Sequence, residues 1–127
     1  MANPIIVEVP LGERAYRAHV GPGLLDGVGQ SLLPLGLGMR CVVITDSTVA
    51  PLYGERALES LRNAHYEVDL LEVPAGEPSK SVTMAESLCR KMIRHGCDRH
   101  SFVVALGGGV IGDLAGFVAG IFYRGVP

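Results

Sequence analysis

The spacing of apolar residues changes its period along the chain, and each change predicts a new element. "IIVEV" and "AYRAHV" are β-rich runs, the second alternating Tyr16, Ala18 and Val20 with Arg17 and His19. Joined through "PLGER", they predict an antiparallel hairpin. Leu25, Val28 and Leu32 then recur at helical spacing until Pro34 and the glycines of "PLGLG", which predicts a short helix. "CVVIT", residues 41–45, is a continuous β-branched run, the pattern of a strand buried on both faces, and it ends at Asp46. Over residues 49–64, Tyr53, Ala57 and Leu61 form one stripe, while Glu55, Glu59 and Arg62 are left for solvent, which predicts a surface helix. "EVDLLEVP" reads as a strand and "AGEPSKS" as a loop. Ala85, Leu88, Cys89, Met92 and Ile93 then mark a second amphipathic helix, with Gly96 as its stop. "FVVAL" reads as another buried strand, leading through glycines into a largely buried helix over residues 110–123.

Strand and helix alternate from residue 41 onward, which predicts an α/β layered domain with a mainly parallel sheet and right-handed crossovers. In such sheets ligands collect at the carboxyl ends of the strands. Three segments therefore belong along one edge: "TDST", "PAGEPSK" and "GGGVIGD".

Composition narrows the partners. The 127 residues are enough for one domain, and 48% hydrophobic with 19% charged residues is a globular balance. A formal charge of −2 gives no basic groove for nucleic acid. Cys41, Cys89 and Cys97 form no C-x-x-C pair, and an odd count argues against a disulfide framework, so a reducing, cytoplasmic setting is expected. "MANPIIVEVPLGERAY" lacks the basic and apolar regions of a secretory signal. "FYRGVP" closes the sequence without a polar tail or helix stop, and the chain reads as a fragment.

"LGGGVIGDLAGFVAG" admits more than one reading. Gly107-x-Gly109-x-x-Gly112 matches the dinucleotide fingerprint, in which glycines permit a tight turn and backbone approach to pyrophosphate at a helix start. The match follows a late strand, however, and no acid about 20 residues on is available for a ribose. A turn needed only for packing remains an alternative. A membrane span of about 20 apolar residues would have to contain three consecutive glycines and Asp113, so no membrane association is expected. Gly112, Gly116 and Gly120 define one smooth helix face, assigned to close packing on the sheet.

The remaining polar segments are equally two-sided. Glu77 and Lys80 suit ribose hydroxyls and phosphate, or form a solvated turn in which Ser79 or Ser81 caps the next helix beside a Thr83/Glu86 capping-box pattern. Asp46, Ser47 and Thr48 form a helix cap or a polar clip at a strand end. "HGCDRH" holds His95, Cys97, Asp98 and His100, but without paired metal-ligand spacing it reads as a helix end and turn. Cys41 and Cys89 fall on apolar faces as core thiols.

In order and spacing, "ITDSTVAPLY", "PAGEPSKS" and "LGGGVIGDLAGFVAGIFYRGV" resemble the amino-terminal, Rossmann-like domain of the 3-dehydroquinate synthase family of sugar-phosphate cyclases. The resemblance runs from about residue 41 to residue 126. It implies helices on both sheet faces and a lyase of the shikimate pathway that needs NAD and a divalent metal, zinc or cobalt. Its substrate would be the sugar phosphate 3-deoxy-D-arabino-heptulosonate 7-phosphate, converted to 3-dehydroquinate and phosphate by a homodimer. Residues 1–127 would be the truncated dinucleotide-binding domain. The resemblance sets Asp46, Ser47 and Thr48 near the adenosine end of NAD, and Glu77 and Lys80 at cofactor hydroxyls and its polar edge. It sets the backbone of Gly108, Gly109 and Val110 at the pyrophosphate, Asp113 near the nicotinamide ribose, and Arg124 at the substrate phosphate across a dimer interface. The family's carboxyl-terminal helical domain, with its Glu, His, His metal ligands, has no counterpart in these residues, so no catalytic residue is assigned and the fragment alone is expected to be inactive. Related cyclases making 2-deoxy-scyllo-inosose or 2-epi-5-epi-valiolone share these motifs, and a non-catalytic nucleotide-binding or interaction domain is the alternative outside the enzyme class.

Overall fold

The computed structural model describes residues 3–127. Strands β1 (Ile5–Val9) and β2 (Tyr16–Val20) form the antiparallel hairpin, in register from Ile5 opposite Val20 to Val9 opposite Tyr16. A 3-10 turn, Gly12–Arg14, joins them. The main sheet is parallel, in the order β4-β3-β5, built from β3 (Arg40–Asp46), β4 (Glu67–Val73) and β5 (Phe102–Leu106). The connections are helical: α1 (Val28–Leu32) precedes β3, α2 (Glu55–Asn63) links β3 to β4, and α3 (Val82–Arg94) links β4 to β5. Helix α4 (Gly109–Ile121) follows β5.

Both faces of the sheet are covered, which is why β3 tolerates no polar residue between Cys41 and Ile44. On one side Val42, Ile44, Leu71 and Val73 pack with Leu88 and Met92 of α3 and with Ile111, Leu114 and Val118 of α4. On the other, Cys41, Val43 and Val68 meet Leu58 and Leu61 of α2, and the Tyr66 and Phe102 rings pack edge to face at 5.2 Å. Each fully buried aliphatic side chain contributes about 1.5–3 kcal/mol of transfer free energy. Burial also pushes the Cys41 thiol up to about 12, so it is a packing group and not a nucleophile.

Several expectations are corrected in detail. Tyr53 does not face the core; it is exposed, with the Arg56 guanidinium 6.0 Å from its ring centre. The helix opens with a π-helical turn, Ala50–Gly54, and Gly54 is the residue turned inward, where a Cβ would come within 3.1 Å of Leu70. Strand β5 lies at the sheet edge, so Phe102 is buried while Val103, Val104 and Leu106 are half-buried and Ala105 is exposed; the Val103 N–H donates to the Pro127 carbonyl at 2.8 Å. The first helix is reduced to five residues between two 3-10 turns, Leu24–Gly27 and Leu33–Leu35. In α3, Ser81 is the N-cap, its Oγ accepting from the Met84 N–H at 3.1 Å, while Glu86 pairs with Arg90 and takes no part in a cap with Thr83. Ile93 points to solvent. The helix ends as expected at Gly96 (φ +84°), with the Gly96 N–H bonded to the Ile93 carbonyl and the Cys97 N–H to that of Met92, a Schellman motif.

The glycines of α4 are the largest correction. Gly112, Gly116 and Gly120 do not pack on the sheet: all three are exposed, and a Cβ on any of them would meet no atom within 4 Å. The sheet-facing stripe is Ile111, Leu114, Ala115 and Val118, and the glycines lie on the opposite side with Phe117 (50% exposed) and Ile121 (48%). Replacing Gly116 with Ala in this chain should therefore raise stability by about 0.5–1 kcal/mol through helix propensity alone. Urea denaturation checks this, and a loss of stability would restore the packing role.

Candidate dinucleotide site

The carboxyl ends of the three parallel strands lie side by side. Asp46 is in register with Val73 of β4, and Thr45 with Leu106 of β5, so Asp46 lies one residue past the last β3–β5 pair, where the glycine turn begins. The polar clip after β3 is internally bonded. Asp46 Oδ1 accepts from the N–H groups of Thr48 (2.9 Å) and Val49 (2.8 Å), so it caps the turn that follows. Ser47 ties β3 to the next loop: its N–H donates to the Val73 carbonyl and its Oγ accepts from the Ala75 N–H, both at 2.9 Å. Ser47 is thereby committed to loop shape, whereas Thr48 is exposed.

The glycines that follow β5 divide by environment. At Gly107 a Cβ would sit 2.9 Å from the Ile111 Cβ, so this position is glycine because helix and strand approach closely. At Gly108 and Gly109 a Cβ would enter open space. No side chain caps α4, whose N-cap is Gly108. Its first-turn N–H groups, those of Gly109, Val110 and Ile111, therefore have no side-chain acceptor, which is the arrangement an anionic phosphate satisfies.

Beside this turn, Lys80 Nζ donates to Asp113 Oδ2 at 2.6 Å, joining the end of the "PAGEPSK" loop to the first turn and a half of α4. The bond to Asp113 holds the Lys80 ammonium above the usual lysine range, with its charge and that of Glu77 adding to the effect, so Lys80 is cationic throughout the neutral range. Glu77 opens a 3-10 turn, Glu77–Ser79, anchored by the buried Ser79 hydroxyl bonded to the Pro74 carbonyl. Lys80, Ser81, Val82, Asp113, Leu114 and Phe117 line an open cleft of about 240 Å³. Sequence reasoning named Lys80 and Asp113 as separate cofactor contacts and missed their pairing; only the crossover that brings α4 beside the loop shows it.

Arg124 lies at the far end of α4 in an unusual turn. Tyr123 (φ +46°), Arg124 (φ +67°) and Gly125 (φ +121°) are successive left-handed residues. The two non-glycine positions cost roughly 1–2 kcal/mol each. The turn is held by the Gly125 N–H to the Phe122 carbonyl (2.9 Å), the Val126 N–H to the Ala119 carbonyl (2.8 Å), and the Tyr123 ring against Phe122 (4.9 Å). Arg124 is exposed and makes no ion pair among the described residues.

The residues present fit a dinucleotide: an uncapped glycine-rich helix start, open space above it, and a carboxylate at the adjacent strand end. They do not fit a divalent metal. Among the described residues no three His, Cys, Asp or Glu side chains converge on one point. "HGCDRH" is a turn in which the Ser101 Oγ accepts from the Asp98 N–H and Asp98 Oδ1 from the His100 N–H, while His95 Nδ1 lies 3.3 Å from Asp69. Among the described residues no helix is long and apolar enough to cross a membrane.

A family model described as 3-dehydroquinate synthase N-terminal matches residues 70–127. A 3-dehydroquinate synthase of Desulforamulus reducens is 48% identical over 121 residues, covering 95% of this chain and 34% of that protein. A crystal structure of 2-deoxy-scyllo-inosose synthase complexed with carbaglucose-6-phosphate, NAD+ and Co2+ superposes with a TM-score of 0.85 at 27% identity, over 96% of this chain and 33% of that one. The 2-epi-5-epi-valiolone synthase of Streptomyces hygroscopicus, with NAD+ and Zn2+ bound, gives a TM-score of 0.69 at 31% identity, over 84% and 29%. The fold is thus that of the Rossmann-like domain of the sugar-phosphate cyclases. Within that class, sequence places the chain in the 3-dehydroquinate synthase family, as its amino-terminal domain. The chain spans about a third of the length of the curated relatives it matches.

Proposed function

We propose that this chain is the NAD-holding part of a 3-dehydroquinate synthase, an enzyme converting 3-deoxy-D-arabino-heptulosonate 7-phosphate to 3-dehydroquinate and phosphate. The observation that carries this reading is the uncapped start of α4, set between Asp46 on the neighbouring strand and the Lys80–Asp113 pair. Backbone N–H groups at Gly108, Gly109 and Val110 bind the pyrophosphate, and the α4 dipole favours its charge. Asp46 and Thr48 take the adenosine end, with Ser47 shaping their loop. Glu77 accepts from cofactor hydroxyls, while Lys80 and Asp113 orient the nicotinamide end over the cleft that Phe117 and Leu114 line. When bound, NAD supplies the hydride acceptor for a substrate hydroxyl. Arg124, held outward by its strained turn, binds the substrate phosphate of a homodimer partner in the cytoplasm.

No described cluster fits the divalent metal of the family, so the chain by itself is inactive in this reading. Identity of 48% to a 3-dehydroquinate synthase, against 27% and 31% to the two related cyclases, favours this substrate over theirs. The TM-score of 0.85 keeps the 2-deoxy-scyllo-inosose reaction as the second reading.

Calorimetric titration with NAD+ tests the cofactor reading. Wild-type chain should bind, and a Glu77→Ala, Lys80→Ala double variant should bind at least about tenfold more weakly, the worth of a charged hydrogen bond. Absence of binding by the wild type would instead support a non-catalytic interaction domain. Phosphate release from the heptulosonate phosphate, with NAD+ and zinc added, should be undetectable, and turnover would overturn the predicted inactivity.

A further inference from the structure

We propose that Ser79 is a positioning residue for the dinucleotide: its hydroxyl grips the Pro74–Ala75 peptide, so that Glu77 and Lys80 are set in place before the cofactor's nicotinamide half arrives. The inference rests on the NAD reading above. Between Val73 at the end of β4 and Ala85 in α3, Ser79 is the only buried residue, 3% exposed, although Pro78 and Lys80 on either side are exposed. An apolar side chain would be the ordinary choice for such an anchor. The hydroxyl is needed because of what it meets. Ser79 Oγ donates to the Pro74 carbonyl, and the N–H of the same peptide unit, that of Ala75, donates to Ser47 Oγ at 2.9 Å. One peptide plane is thus held from both sides, by a serine at the end of β3 and by a serine in the loop, and hydrogen bonds linked in this way strengthen one another.

The backbone of Ser79 carries that anchorage to its neighbours. Its N–H donates to the Gly76 carbonyl at 3.2 Å, and its carbonyl accepts from the Ser81 N–H at 3.0 Å. The second bond closes an inverse γ-turn with Lys80 at its centre (φ −80°, ψ 78°). The Lys80 N–H in turn donates to the Glu77 carbonyl at 2.9 Å. Glu77 and Lys80 therefore leave a backbone frame whose inward anchor is the Ser79 hydroxyl, while both side chains stay in solvent. With alanine at position 79 the Ser47 bond would remain, but the Pro74 carbonyl would turn to water and the frame would be tied at one end only. The cost of ordering Glu77 and Lys80 would then fall on cofactor binding. It would fall on the nicotinamide half alone, because the adenosine and pyrophosphate groups meet the loop after β3 and the start of α4.

The test compares NAD+ with ADP, which lacks the nicotinamide half, by calorimetry on the 127-residue chain. Ser79→Ala should bind NAD+ about five- to tenfold more weakly than wild type, the range for one or two side chains left to be ordered on binding, and ADP within about twofold. A cooperative thermal transition lowered by about 4–8 °C, as the loss of one hydrogen bond predicts, shows that the variant is folded during the titration. In the Glu77→Ala, Lys80→Ala background the same substitution should change NAD+ affinity by less than about twofold, because the groups it positions are gone. An unchanged NAD+ affinity, equal losses for NAD+ and ADP, or the full loss persisting in the Glu77→Ala, Lys80→Ala background overturns the positioning role and leaves the NAD reading standing. Failure of wild type to bind NAD+ overturns both.

Discussion

Replacing Gly108 with Val should abolish dinucleotide binding while leaving the fold intact. Gly108 has φ −88° and ψ −159°, extended backbone that a β-branched residue adopts without strain, and a Cβ there meets no protein atom within 4 Å. The valine methyl groups would stand in the open space above the first turn of α4, where phosphate oxygens must come within about 3 Å of backbone N–H groups to bond them. The expected loss in NAD+ affinity is about 100-fold or more, equivalent to roughly 2.7 kcal/mol. The melting temperature should move by no more than about 2 °C, the range of a substitution that changes few native contacts. Gly107→Ala is the informative companion, because its Cβ would sit 2.9 Å from that of Ile111 and should lower stability as well as binding. A folded Gly108→Val chain that binds NAD+ as wild type does would remove the helix start from the site.

The same stretch explains what could and could not be read from sequence. Strand β3 was legible because a run of β-branched residues is rarely anything but a strand covered on both sides, and Cys41 to Ile44 are fully buried. Strand β5 has nearly the same letters, yet its exposure depends on having a neighbour on only one side, which no local pattern encodes. In α4 the side opposite the sheet is also apolar or glycine, so the sequence lacked the polar contrast that orients a helix, and the glycine stripe was assigned to the wrong face. Tyr53 failed for a related reason: Pro51 and Gly54 alter the helix entry to a π-helical turn, shifting which residue points inward. At the site, residue types were legible from the strand-end segments, whereas the pairing of Lys80 with Asp113, 33 positions apart, depends on the crossover alone.

Gly29→Ala should destabilise the chain strongly, and the reason lies in how α1 is clamped to α2. The Gly29 N–H donates to Ser60 Oγ at 3.0 Å, and that hydroxyl donates in turn to the Asp26 carbonyl at 2.9 Å. Arg56 bonds the Asp26 carboxylate, which lowers that carboxyl from its ordinary value. This network draws the backbones together until a Cβ at Gly29 would lie 2.1 Å from the Ser60 carbonyl oxygen, more than an ångström inside ordinary contact. Backbone cannot swing aside as a side chain can, so α1 must move away and the buried Ser60 hydroxyl loses a partner. Overpacking typically costs 1–3 kcal/mol and the lost hydrogen bond roughly 1 more, against a helix-propensity gain of about 1. A net loss of about 1–3 kcal/mol is therefore expected, a large share of the 5–15 kcal/mol typical of a domain. Gly27→Ala, two residues earlier in open space, controls for the substitution itself and should be close to neutral. Because α2 follows directly from the loop that Asp46 caps, the Gly29→Ala chain should also bind NAD+ more weakly than the Gly27→Ala chain. Unfolding free energies from urea titration within about 0.5 kcal/mol of each other for the two variants would show that α1 is not clamped as described.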